Sequence, residues 1–241
     1  MYFLKGVNSM ANTLSWKGAF FALATWFACP ATIASIVITG TRVIYPSDAP
    51  EVSVKLDNKG TSPVLIQSWI DNGNADAAPE TIQVPFILTP PINRVEPDKG
   101  QTLRITFTGK LLPADRESVY WLNVLEIPAK KASTVNDNYL QVAFRSRIKL
   151  FLRPKGLEGN ANQAVTQVTW RANGQTIEAI NPTPYFISLV NLKVNGKTIN
   201  ADMMSPKSTM TVKLSGSPGN KLAGVFVNDY GALNEFEATL K

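Results

Sequence analysis

The chain has 241 residues, with 24 Lys and Arg against 18 Asp and Glu, no histidine and a single cysteine, Cys29. Without imidazole, and with its one thiol close to the start, it lacks the side chains on which Ser-His-Asp and Cys-His catalysis and conventional zinc sites depend. The basic residues are scattered and are not interleaved with aromatics, so the modest positive charge does not describe a nucleic-acid surface. Gly-rich phosphate loops and calcium-loop spacings are absent as well.

Residues 1–34 carry the three parts of a cleavable secretion signal. Lys5 and Lys17 are the only charges before Arg42, an apolar run extends from Gly18 to Ala28, and small residues close the segment from Pro30 to Ala34. The rival reading is a membrane anchor reaching to Ile38. Pro30 interrupts it, and the run before Pro30 is about half of the roughly 20 residues a spanning helix needs. Cys29 faintly suggests a lipoprotein signal, against which stands Pro30 directly behind it. Cleavage after Ala34 leaves 207 residues of net charge +4 with no thiol, hence no disulfide and no stable membrane insertion. That length suits one large domain or two of about 100 residues.

From Ser35 onward, short alternating runs are separated by Pro, Gly, Asn and Asp. The runs Ile36–Thr39 and Arg42–Tyr45 flank Gly40; Glu51–Asp57 alternates strictly, with Val52, Val54 and Leu56 on one face. Pro63–Ile70, Val84–Leu88, Gln101–Phe107, Ser118–Ile127 and Tyr139–Arg153 follow. Seven such strands, the first broken at Gly40, are what an immunoglobulin-like sandwich requires. Trp69 and Trp121 are the candidates for its large core aromatic. Residues 154–163, rich in Pro, Gly and Asn, read as a linker. Beyond it, Val165–Arg171 and Gln175–Ile180 flank Asn173-Gly174, and Tyr185–Val194 and Lys197–Asn200 flank Asn195-Gly196, two strong hairpin signals. Thr209–Leu214, Leu222–Asp229 and Leu233–Leu240 complete the set. The expected architecture is all-β: a first immunoglobulin-like domain over 35–153, a short hinge, and a second over 164–241. The two would form a bent, boomerang-like pair with a cleft between them, the natural place for a site.

Tyr139–Arg153 is far longer than the usual five to six residues of a strand. Its start, Leu140 to Phe144, alternates large apolar residues with small or polar ones, as an ordinary inward face would. It also follows the polar loop Lys130–Asn138 and closes the domain, where a strand lies at a sheet edge. A long apolar edge strand is an aggregation hazard unless it exists to pair with something.

Six segments, Gly40–Pro46, Leu88–Pro97, Asp115–Pro128, Leu140–Pro154, Asn181–Phe186 and Val227–Gly231, together resemble the periplasmic pilus-assembly chaperones, the PapD-like family. They run in family order from Arg42 to Gly231, and the ordered set is specific where any one Pro-rich fragment would be weak. The resemblance implies a periplasmic, non-catalytic protein without cofactor or metal that binds pilus or fimbrial subunits and delivers them to an outer-membrane usher. A subunit of this kind lacks the last strand of its own sandwich, and the chaperone lends an edge strand in its place. By position the lent residues are Leu140, Val142 and Phe144. The resemblance further implies that Arg42 and Lys149 anchor the subunit's C-terminal carboxylate, where charge-assisted bonds fix register. Glu117, Arg153 and Asp229 would be ion-paired between the domains. The short loop from Pro128 to Leu140 resembles the short-loop branch, associated with rod-like fimbriae. Self-association of the free protein through the same strand is left open.

Strict alternation sets Lys149 on the opposite face from Leu140, Val142 and Phe144. Either a bulge intervenes near Arg145 to Arg147, or different faces of the strand serve its two ends. Two other functions compete: a secreted adhesion or receptor module of the same fold, and a carboxylate hydrolase using Glu117 with Asp115.

Overall fold

The structure is a computed structural model, and it describes residues 35–109, 113–128 and 142–241. The expected signal at 1–34, residues 110–112, and residues 129–141, Leu140 among them, lie outside the described residues. The first sandwich is built from β1 (Ile36–Ile38), β2 (Arg42–Pro46), β3 (Val52–Asn58), β4 (Val64–Asp71), β5 (Phe86–Thr89), β6 (Ile92–Val95), β7 (Gly100–Phe107), β8 (Ser118–Pro128) and β9 (Phe144–Arg153). One sheet has the order β1-β3-β7-β5, the other β2-β9-β8-β4-β6. All neighbours are antiparallel except β2, which runs parallel to β9. The first run of the sequence therefore serves both sheets. It changes sheet at Gly40, whose φ of 97° lies in the region only glycine enters freely.

Alternation decides what fills this sandwich. Val64, Ile66 and Ile70 of β4, Tyr120, Leu122 and Val124 of β8, and Leu150 and Leu152 of β9 point inward, against Leu56, Leu103 and Ile105 of the facing sheet. Trp69 and Trp121 have the other parity and are only half-buried, so neither is the large core aromatic. That place belongs to Tyr45, fully buried between Phe86 and Phe107. Its hydroxyl donates to the Ala49 carbonyl at 3.1 Å and accepts from the Phe107 N–H at 2.9 Å, so the buried oxygen costs nothing unpaired. The short strand β6 escaped the sequence reading because its run is brief and flanked by prolines.

The second sandwich holds β10 (Thr169–Asn173), β11 (Thr176–Asn181), β12 (Ile187–Val194), β13 (Lys197–Asn200), β14 (Met203–Met204), β15 (Ser208–Val212), β16 (Lys221–Val227) and β17 (Leu233–Thr239). Its sheets run β10-β11-β15 and β13-β12-β16-β17, with β14 also pairing with β12. Trp170, Ile177, Leu192, Met204, Leu214 and Leu222 fill its core, with Phe236 stacked on Trp170 at 5.8 Å. The strand expected from Val165 starts only at Thr169. Ala161–Gln167 is instead a 3-10 helix, capped where the Asn160 side chain accepts from the Asn162 N–H at 2.8 Å. Of the two hairpins, Asn195-Gly196 has both residues at positive φ, as a type I′ turn demands. In the other, Asn173 pairs with Thr176, so the two-residue loop is Gly174-Gln175, one position later than the dipeptide suggested.

Candidate functional site

β9 is the element around which everything of interest gathers. Its pairing with β8 runs from Glu126↔Phe144 to Ser118↔Leu152 without a register shift, so no bulge separates its ends. Even positions 148, 150 and 152 face the core, and Phe144 continues that face beyond it, 61% exposed. Val142, just ahead of the strand, is 46% exposed. Odd positions carry Arg145, Arg147, Lys149, Phe151 and Arg153 on the outer face. Lys149 and the apolar pair thus sit on opposite faces, and different faces serve the two ends.

The edges of β9 differ as well. β8 covers one edge from Phe144 to Leu152. β2 covers the other only over Lys149–Arg153. Among the described residues, Phe144–Ile148 therefore present an unpaired row of backbone donors and acceptors beside exposed apolar side chains, the arrangement that proteins ordinarily avoid.

At the covered end the outer face meets the second sandwich. Arg153 donates through Nε to Glu117 Oε1 at 2.6 Å, and through Nη1 and Nη2 to Asp229 Oδ2 and Oδ1 at 2.8 and 3.0 Å. Glu117 Oε2 accepts the Phe186 N–H at 2.8 Å, and the Glu117 N–H donates to the Pro184 carbonyl at 2.9 Å. Sequence positions 117, 153 and 229 are thereby joined in one network between the sandwiches. Burial pushes the Glu117 carboxyl up, the Arg153 charge opposing it. Burial would lower Arg153, but the two carboxylates hold its guanidinium above the ordinary value, charged at every relevant pH. Phe151 packs on Phe186 at 5.7 Å, and Gly231, at φ 82°, lies against Thr41 so closely that a Cβ would collide with the threonine hydroxyl.

Arg42 and Lys149 are register partners on the parallel β2–β9 pair and so share this face. Arg42 Nη1 donates to the Val227 carbonyl at 3.0 Å and to Ser188 Oγ at 3.4 Å, and the guanidinium lies 5.8 Å from the Phe151 ring centre. Its Nε is buried with no hydrogen-bond partner. Burial lowers both cations; the Arg42 charge lowers Lys149 further, while Asp202 partly offsets it, as Asp229 and Glu117 do for Arg42. Among the described residues neither cation has a carboxylate in direct contact. Two adjacent, partly desolvated cations with an idle donor have the chemistry to receive an anion, because a carboxylate there would relieve both the repulsion and the unmet hydrogen bond.

The acidic pair Asp115 and Glu117 does not form a catalytic dyad. Asp115 is held well below the ordinary carboxylate range by Arg116 and Lys207, and Glu117 is committed to Arg153. Among the described residues no group of three or more Asp, Glu, His or Cys is placed to hold a metal ion, and no helix is long and apolar enough to cross a membrane.

The sequence reading missed Phe151, Phe186, Ser188, the Thr41–Gly231 contact, and the cluster of buried Asp71 and Asn123 with half-buried Arg147. Only the odd-numbered row of cations in β9 offered a sign of them; the partners come from distant elements.

Comparison with known proteins bears on the whole described region. Residues 35–158 match the family described as Pili and flagellar-assembly chaperone, PapD N-terminal domain, and residues 163–238 match Pili assembly chaperone PapD, C-terminal domain. The Chaperone protein FimB/FhaD of Bordetella pertussis is 46% identical over 221 residues, covering 88% of this chain and 90% of that protein. The crystal structure of the YadV chaperone superposes with a TM-score of 0.72 at 40% identity, covering 86% of this chain and all of that one. The SafB chaperone of Salmonella enterica, solved in complex with the SafA pilin, gives 0.76 at 26% identity, covering 86% of this chain and 97% of that one.

Proposed function

We propose, for a chain that belongs to the PapD-like family of pilus-assembly chaperones, that it binds a fimbrial subunit by lending the open end of β9 and delivers it to an outer-membrane usher. The observation that carries the reading is the half-covered strand: among the described residues Phe144–Ile148 lack a neighbour on one edge, with Phe144 and Val142 exposed on the core-facing side. A sandwich lacking its last strand offers the complementary edge and groove, so the union satisfies the backbone of both and buries their apolar side chains. Burial is worth about 1.5–3 kcal/mol for each such side chain before the cost of ordering the partners. Leu140 extends the lent row by position.

Arg42 and Lys149 take the subunit's C-terminal carboxylate in this reading, at the end of β9 where the strand ceases to be open. That anchor sets register, since a period-two strand shifted by one residue presents the wrong face. Glu117, Arg153 and Asp229 hold the second sandwich against the first. The domains are those read from sequence, 35–153 and 164–241, with residues 1–34 directing the chain to the periplasm before removal.

Co-expression with a fimbrial subunit tests the proposal. The wild-type chain yields an equimolar complex; Phe144→Asp abolishes it while the chaperone keeps its circular dichroism and thermal transition. Normal capture by a folded Phe144→Asp protein overturns strand lending. Normal capture by the double variant Arg42→Ala, Lys149→Ala overturns the carboxylate anchor.

A further inference from the structure

The open end of β9 has a second restraint on its outer face. Asp71, the last residue of β4, has a side chain only 1% exposed, and four donors converge on its carboxylate. Arg147 Nε reaches Oδ2 at 2.9 Å and Nη2 reaches Oδ1 at 2.6 Å. Asn123 Nδ2 donates to Oδ2 at 2.7 Å, and the Gly73 N–H to Oδ1 at 2.7 Å. The Arg147 guanidinium lies over the Trp121 ring at 4.6 Å. Gly73, at φ 117°, brings the loop back across that ring, where a Cβ would stand 3.2 Å from it. Two residues along β9, Arg145 Nη1 donates to the Ala75 carbonyl at 2.7 Å. The loop after β4 is thus fastened to consecutive outer-face residues of β9, both within the segment that β2 leaves uncovered.

A strand with one neighbour has half a ladder and frays at its free end. A buried ion pair roughly breaks even against an apolar pair of the same size, so its contribution lies in direction more than in net stability. The bidentate fork supplies direction: it fixes the strand's rotation about its own axis, and with it the side to which Phe144 points. We propose that Asp71, Arg147 and Arg145 are positioning residues that keep Phe144–Ile148 extended and correctly rotated for lending, without themselves touching the subunit. This rests on the strand-lending reading above.

Amide hydrogen exchange of the free, full-length chain tests the clasp apart from that reading. In Asp71→Asn, and in Arg147→Lys, which keeps the charge and loses the fork, those amides of 144–148 that point to β8 exchange at least about tenfold faster, the scale set by losing a charge-assisted bond. Amides of β3 and β7 stay unchanged. Capture of a co-expressed fimbrial subunit slows by a similar factor. Ile177→Val, a change in the core of the second sandwich that lowers the melting temperature without touching β9, serves as control and leaves both exchange at 144–148 and capture rate unaffected. Unchanged exchange at 144–148, or a change that Ile177→Val reproduces, overturns the clasp. Should Asp71→Asn fail to fold, the exposed Arg145→Ala reads the same exchange. Accelerated exchange with normal capture by Phe144→Asp retains the clasp's effect on the strand and refutes strand lending instead.

Discussion

The two halves of β9 share one strand, one register with β8 and one row of outward cations, yet they live in different surroundings. From Lys149 to Leu152 the strand has neighbours on both edges, and through Arg153 a second sandwich lies against its outer face. From Phe144 to Ile148 it has, among the described residues, one neighbour and a loop. Each half holds an arginine in a carboxylate network, but Arg153 draws its partners from two sandwiches and Arg147 from one. The same chemistry joins domains at one end and aims a free edge at the other; what differs is only where the chain brings the carboxylate from.

Breaking the covered half carries the largest cost. Arg153→Ala leaves Glu117 buried without its cation, and removing one partner of a buried pair costs about 3–5 kcal/mol. Denaturant unfolding reads the loss, and Glu117→Gln, which removes the charge as well as the pairing, should cost clearly less. If the two variants were equally damaging, packing rather than uncompensated charge would hold the interface.

Breaking the open half should instead leave folding alone. Phe144 is already 61% exposed in the free chain, so Phe144→Asp changes stability by no more than about 0.5 kcal/mol. Its effect falls on subunit affinity, at least about a hundredfold, combining lost apolar burial with a charge forced into the groove. Between the halves, Arg42→Ala should weaken capture about tenfold to a hundredfold, the range for hydrogen bonds to a charged group, measured by titrating subunit at constant ionic strength.

Gly231→Ala sharpens the covered half in a smaller way. It meets both a positive φ and the close approach of Thr41, so about 1–2 kcal/mol of interface stability should go, visible as a lower unfolding midpoint. Thr41→Ser should not rescue it, because the hydroxyl itself is the obstacle.

The smallest effect is in the pH dependence of the open half. Burial raises the Asp71 carboxyl, but Arg147, Asn123 and the Gly73 N–H outweigh it and leave it below the ordinary value. A lowered folded-state pKa contributes stability above the unfolded value and loses it as pH falls through the folded one. The stability difference between wild type and Asp71→Asn should therefore be constant from about pH 8 to 5 and shrink only below about 4. A difference that faded already near pH 6 would contradict the direction of this shift.

Much of the first sandwich was legible because its strands alternate strictly: Val54 and Leu56, or Leu103 and Ile105, name their own inner face. Alternation was legible in β9 too, and it correctly separated Lys149 from Phe144. The errors arose where local signals compete. Asn173-Gly174 marked a hairpin one residue early because Gly174 can occupy either turn position. Val165 read as strand because its burial, on a short helix, leaves the same apolar mark. Trp69 and Trp121 were candidates by size, whereas parity turns both outward and gives the core to Tyr45.

By itself the sequence determined the all-β class and most of its strand segments, the absence of imidazole and of thiol beyond Cys29, and the two faces of β9, since each follows from composition or from a period of two. Tertiary structure alone decided that β2 stops short of Phe144, that Arg153 gathers Glu117 and Asp229, and that Asp71 meets Arg147. Those facts join residues dozens of positions apart, and no local periodicity records which distant backbone will lie beside a strand or where it will end.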